Sequence, residues 1–265
     1  MGKLSNYAEN KMLDHVLKVA PYTRPTHLFL ALCEADPTDA GTGGTITEPG
    51  DVAYARQQCD DWGAAASRAA ANSTLMTFPD CTEDWNAITH FAILDTSVLA
   101  TGNIIAYGEV TPNKTFYSGN TPNLATGDLD VSVHAGGASD YLANSILDHL
   151  LADTPFAQPD CLFIALATGA ILDADTGSTI SEPGENYARI QQDDWKIAAA
   201  GASSNSGGLV FARATGTFGT ISHFGLCDTL TTGNLLIHAA LNTAQPVEVG
   251  DIARWADGSA IITLD

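Results

Sequence analysis

Asp14-His15 and Asp148-His149 set an imidazole beside a carboxylate twice in this chain, a pairing that suits general acid–base work. Adjacent residues on a helix point about 100° apart, so each Asp is poorly aimed to orient its own His. No nucleophile motif of the G-x-S-x-G kind lies nearby. The pair is expected on a helix surface near the C-terminus, where the dipole favours a cation. His90 and His223, each followed by Phe, fall at equivalent places in strand-like stretches. Neither has a His or carboxylate neighbour at ligand spacing, so they read as packing residues rather than metal ligands. Asp173-Ala174-Asp175-Thr176-Gly177 has the look of a calcium loop. Counting from Asp173, however, Ser178 and Gly184 stand where an EF-hand needs Gly and a bidentate Glu.

The densest polar stretch is Glu182-Pro183-Gly184-Glu185-Asn186-Tyr187-Ala188-Arg189, continuing to Asp193-Asp194-Trp195. Glu-Pro-Gly is turn chemistry, because Pro fixes φ and Gly accepts φ > 0. Arg189 stands out among few cations, as does Arg56 in the matching stretch Glu48 to Trp62. These arginines are expected to pair with Asp193-Asp194 and Asp60-Asp61, or with acidic groups on a partner. Trp62 and Trp195 are expected to anchor a strand end in the core, the sharper alternative being an exposed indole that stacks on carbohydrate. Gly41-Thr42-Gly43-Gly44 lacks the Lys-Ser/Thr of a phosphate loop. Nothing assembles into an active site, so the expectation is a non-enzyme with no catalytic, cofactor-binding or metal site and no cofactor.

The elements that hold these residues occur twice. Glu48 and Glu182 lie 134 residues apart, and Ser5 and Ser139 share that offset. Ser5 to Leu17 and Ser139 to Leu151 carry apolar residues at helical spacing behind a Ser cap. Leu28 to Leu32 and Leu162 to Leu166 are apolar without alternation, as in strands buried on both faces. Ala/Ser/Asn-rich segments follow each Trp, with side chains too small to be expected in a core. Trp85 to Asp95 and Phe218 to Asp228 read as strands. Thr101-Gly102-Asn103 and Thr232-Gly233-Asn234 are turns feeding another strand. Gly127 to Val133 and Gly258 to Leu264 close each copy. The expected architecture is mainly β (α+β): two homologous β-sandwich domains, at 1–135 and 136–265, each preceded by one N-terminal helix. A repeat this long means duplicated domains rather than a solenoid. Deleting 136–265 is then expected to leave the first domain folded. A lone helix of this length must dock, on its own domain or on a neighbouring protein.

Composition narrows the partners. Thirty-one acidic against 11 basic residues give a net charge of −20, which a duplex or an anionic membrane repels. No apolar run reaches the roughly 18–20 residues of a bilayer span. Met1 to Asn10 has no apolar signal core, so synthesis in a cytoplasm is expected. The five cysteines, Cys33, Cys59, Cys81, Cys161 and Cys227, form no C-x-x-C and recur at no equivalent place. They are expected as small buried hydrophobes rather than a disulfide frame or zinc site.

The ensemble resembles a known family. It runs from S-x-Y-x-x-N-x-x-L-D-H (Ser5 to His15) through P-T-x-L-F-x-A-L (Pro25 to Leu32) and E-P-G-x-x-Y-A-R (Glu182 to Arg189). T-H-F-x-x-x-D (Thr89 to Asp95), T-G-N-x-L (Thr232 to Leu236) and G-x-x-x-x-T-L-D (Gly258 to Asp265) complete it. This is similar to the small β-rich virion proteins of tailed bacteriophages, of the tail-fibre and capsid-decoration type, here in tandem. The copies differ at Asp51-Val52-Ala53 against Glu185-Asn186, at the acidic Asp80 to Asp84 loop, and at Tyr107-Gly108 against His238-Ala239. The resemblance implies a structural protein of the virion, assembled in the host cytoplasm. The first expectation is a capsid decoration protein bound to phage capsid proteins through strand edges and helices. The alternative is a tail-fibre or tail-tip protein that binds tail proteins and recognises a host receptor or glycan. A homo-oligomer and an internal pseudo-dimer stay open, and differing function is expected in the loops that differ.

Overall fold

The computed structural model describes residues 1–264; Asp265, which ends the T-L-D pattern, lies outside the described residues. The first copy runs β1 (Gly2–Leu4), α1 (Asn6–Val16), β2 (Phe29–Cys33), β3 (Gln57–Gln58), β4 (Ala69–Ala71), β5 (Met76–Thr77), β6 (Ile88–Leu94), β7 (Ile104–Lys114), β8 (Asn123–Leu124) and β9 (Asp130–Ser132). The second follows with α2 (Asp140–Leu150), β10 (Phe163–Ala167), β11 (Ile190–Gln191), β12 (Ala202–Ser204), β13 (Leu209–Val210), β14 (Gly219–Cys227), β15 (Leu235–Val247), β16 (Arg254–Trp255) and β17 (Ile261–Thr263). The mainly β class and the two-domain repeat with one helix per copy are as the sequence implies. β1, ahead of the first helix, is an addition that the sequence did not announce.

Both helices begin as the Ser caps predict. Ser5 Oγ accepts the Ala8 N–H at 3.3 Å, and Ser139 Oγ accepts that of Leu142 at 3.1 Å. Each helix is then buried almost all round: Met12, Leu13, Val16 and Leu17 in α1 and its extension, and Leu142, Ile146, Leu147 and Leu150 in α2, are essentially inaccessible. Of the two docking choices open to such a helix, the apolar face is covered within the chain in both copies. In each helix one side chain alone is exposed, Lys11 in α1 and Tyr141 in α2. His15 and His149 are also buried rather than on a helix surface. Their Nδ1 atoms accept the backbone N–H of Tyr22 at 3.0 Å and of Phe156 at 3.1 Å, turning the chain back after the helix.

The chain forms two compact units, and the helices are exchanged in their make-up. Unit 1 comprises Met1–Glu9, Thr23–His134 and Asn144–Phe156; unit 2 comprises Asn10–Tyr22, Ala135–Ala143 and Ala157–Asp265. Beyond its first turn, each helix thus belongs with the strands of the other repeat.

In unit 1 a seven-stranded sheet has the order β3-β2-β6-β7-β1-β9-β4, with β5 and β8 as a separate pair. β1 lies so close to β7 that a Cβ at Gly108 would meet Gly2 Cα at 2.6 Å, which is why glycine occupies both positions. In unit 2 the order is β11-β10-β14-β15, with pairs β12–β17 and β13–β16. β2 and β10 are buried along nearly their whole length. Ala31 of β2 packs with Ala92, Leu94 and Ile104 in unit 1, and Ala165 of β10 with Ile171, Ile180 and Leu235 in unit 2.

The small-residue segments after each Trp are not peripheral. They form β4 and β12, and Asn72 and Asn205 at their ends are 1% and 0% exposed. Asn72 Oδ1 accepts the Gly127 and Leu129 N–H groups, both at 3.0 Å, while Asn205 Oδ1 accepts that of Ala260 at 2.8 Å. Each segment pairs antiparallel with the closing strand of its copy, β4 with β9 and β12 with β17.

Candidate functional site

The polar stretch Glu48 to Arg56 closes on itself. Arg56 Nη2 and Glu48 Oε2 stand 2.8 Å apart, and Arg56 Nε donates to Glu48 Oε1 at 3.0 Å. The guanidinium side chain is wholly inaccessible. Its Nη1 donates to the carbonyls of Thr96 and Thr101, each at 3.0 Å, so one cation ties together a turn, a loop and the strand start. Tyr54 completes the node: its hydroxyl donates to Glu48 Oε1 at 2.9 Å and accepts the Leu32 N–H at 3.0 Å.

Unit 2 repeats the arrangement. Arg189 Nη2 lies 2.9 Å from Glu182 Oε2, and its Nη1 donates to Thr229 and Thr232 carbonyls at 3.0 and 3.1 Å. Tyr187 Oη donates to Glu182 Oε1 at 3.1 Å and accepts the Leu166 N–H at 2.7 Å. Burial pushes the Tyr54 and Tyr187 phenols well above their ordinary range, with the neighbouring carboxylate charge adding to it. The arginines therefore do not pair with the Asp pairs. The missed partners were Glu48 and Glu182 of the Glu-Pro-Gly turn, whose recurrence with Tyr and Arg was the available signal. Aspartates of those pairs hold backbone instead: Asp60 Oδ1 accepts the Leu28 N–H at 2.7 Å and Asp193 Oδ1 that of Leu162 at 2.9 Å.

Trp62 and Trp195 are buried as anchors, each indole N–H donating to a carbonyl three residues earlier, Cys59 at 2.6 Å and Gln192 at 3.0 Å. His90 and His223 are half-buried in β6 and β14, each Nδ1 against the hydroxyl of the preceding residue, Thr89 at 2.8 Å and Ser222 at 2.9 Å. Four of the cysteines are buried, and burial raises the Cys227 thiol to about 12. Cys161 is half-exposed.

The Asp173 loop spends its oxygens internally. Asp173 Oδ1 meets His238 Nε2 at 2.9 Å, and Asp175 Oδ2 accepts the Leu172 N–H at 2.7 Å. His238 is one of the residues at which the copies differ, and here it ties the loop to β15.

A second difference is also resolved. Asp51 accepts the Thr82 hydroxyl, the Thr82 N–H at 2.7 Å and the Trp85 indole N–H at 3.0 Å. It thereby fastens the acidic loop, and the Thr82 hydroxyl foremost holds its carboxyl well below the usual range. In unit 2 Asn186 takes over, accepting the Thr215 N–H at 2.8 Å and donating to the Arg213 carbonyl at 2.8 Å.

The copies also differ at a concavity beside the outer half of β15. In unit 2 it holds about 510 Å³ and is lined by Leu166, Ile221, Asn242, Gln245, Arg254 and Trp255, among others. Its wall is a bulge in which Leu241, Asn242, Thr243 and Ala244 stand opposite Ser222 alone. The equivalent place in unit 1, lined by Leu32, Ile88, Lys114, Phe116 and Leu124, holds about 40 Å³. There Phe116 packs edge-on against Trp85 with ring centroids 5.6 Å apart; Val247 and Phe218 stand at the corresponding ladder positions in unit 2.

A family model described as podophage GP4 fiber I protein gp80 matches the chain twice, over residues 3–132 and again over 137–263. No curated protein matches it.

Proposed function

The chain belongs to the podophage GP4 fiber I protein gp80 family, a structural phage protein, and from that premise we propose that it is a non-enzymatic component of the virion's fibre apparatus. The observation that carries this reading is the family match itself, which runs through both copies and leaves only a short link between them. On its strength we prefer the fibre to the capsid surface, the first expectation from sequence. The spending of Glu48, Arg56, Glu182 and Arg189 on internal ties supports a structural role. The buried helices leave loops and strand edges as the surfaces for neighbouring phage proteins. The charge of −20 keeps nucleic acid and anionic membrane among the disfavoured partners.

Copy number tests the proposal. Quantitative mass spectrometry of purified virions, referenced to the major capsid protein, is expected to give tens of copies or fewer. Hundreds per particle, on the order of the capsomer number, would overturn the fibre reading in favour of capsid decoration.

A further inference from the structure

We propose that the groove in unit 2, between Trp255 and the Leu241–Ala244 bulge, binds a neutral saccharide. The inference deepens the fibre reading, on which it rests for its place on the virion, by naming a ligand class for one surface.

Three observations carry it. First, the groove combines an apolar floor, Leu166 and Ile221, with a half-buried indole. Trp255 is held from behind, its ring 5.1 Å from Phe224 and 6.2 Å from Phe211, both edge-on. An aromatic face fixed in this way is a platform of low entropic cost for the C–H face of a sugar ring. Second, the rim carries uncommitted hydrogen-bonding groups. Asn242, Thr243, Gln245 and Arg254 make no side-chain hydrogen bond among the described residues. Asn103, Asn205 and Asn234, by contrast, are spent on turns and strands. Amides and hydroxyls that both donate and accept match ligand hydroxyls that do the same. Third, the feature belongs to one copy: the volume of about 510 Å³ is ordinary for a ligand cleft, whereas about 40 Å³ in unit 1 is not.

Charge selects among ligands. Arg254 and Asp251 contribute one charge of each sign to the lining, in a chain of net charge −20, so a strongly anionic ligand gains nothing there.

The test uses the full chain, isotopically labelled so that its four indole N–H groups report separately. The probes are maltohexaose, cellohexaose, mannohexaose and chitohexaose at millimolar concentration. At least one is expected to shift the Trp255 signal while leaving those of the buried Trp62, Trp85 and Trp195 unmoved. Asn242→Ala and Gln245→Ala, at exposed positions, are each expected to weaken that binding about tenfold. Val247→Phe, which restores the bulk found in unit 1, is expected to abolish it. Silence of Trp255 with all four probes, or a shift that survives Val247→Phe, overturns the inference. Either result leaves the virion copy number, and with it the fibre reading, untouched.

Discussion

The carboxylate of Asp14 accepts the backbone N–H of Ala198 at 2.8 Å, within unit 2. Its counterpart in unit 1 is Asp148, which accepts the N–H of Ala65 at 2.6 Å. One turn earlier in each helix, Asn10 Oδ1 accepts the Gly201 N–H at 3.0 Å and Asn144 Oδ1 the Arg68 N–H at 2.9 Å. Both receiving segments are tight turns with two consecutive positive φ values, Ser67 and Arg68 in one, Ala200 and Gly201 in the other. Three of those four residues have a Cβ that disfavours this conformation, so the helix side chains hold a turn that local preference resists. Asp14-His15 and Asp148-His149 recur for this reason: the Asp clamps a strand turn and the His folds back the chain.

Asp14→Ala is expected to destabilise the protein by about 1–3 kcal/mol, because the Ala198 N–H is left unsatisfied in a buried setting. Asp14→Asn keeps an acceptor and is expected to cost less. Denaturant melts of the two variants check this, and equal losses would show that charge rather than the hydrogen bond matters.

Residues 1–135 alone lack Asn144–Phe156, which complete unit 1, and retain Asn10–Tyr22, which belong to unit 2. Because α1 carries the same Asn and Asp as α2, two such fragments can supply each other. The fragment is therefore expected to run as a homodimer in light scattering behind size exclusion. A cooperatively unfolding monomer would show that the exchanged helix is dispensable.

Arg56→Ala and Arg189→Ala are each expected to cost about 3–5 kcal/mol, the range for removing one partner of a buried ion pair. Each leaves a carboxylate with its tyrosine donor alone and three carbonyls without theirs. Thermal or denaturant unfolding measures it, and a loss below about 1 kcal/mol would mean that the node is solvated.

Tyr54 and Tyr187 set an alkaline limit. Their folded-state phenol pKa values lie above the unfolded value of about 10, so the stability they contribute is complete below pH ~10 and is lost as pH rises beyond it. The thermal midpoint is expected to fall between pH 10 and 11, and the double variant Tyr54→Phe/Tyr187→Phe to flatten that fall. An unchanged slope in the variant would place the alkaline loss elsewhere.

The sequence by itself determined what is periodic or repeated. An offset of 134 residues, helical spacing behind Ser5 and Ser139, and apolar runs at Leu28 and Leu162 are local or self-referential signals, and they defined the class and the duplication. Tertiary structure alone decided who touches whom. Arg56 reached eight residues back to Glu48 rather than a few forward to Asp60, because only the turn carboxylate enters the same dry pocket. The Ala- and Asn-rich segments became strands because the closing strand of each copy, distant in sequence, pairs with them. Helices fit to cover either repeat were exchanged, since equivalent turns present equivalent N–H groups and sequence cannot choose between identical acceptors. The groove at Trp255 was invisible for a related reason: the same bulge occurs in both copies, and only the fold shows that Val247 stands where Phe116 fills the space in unit 1.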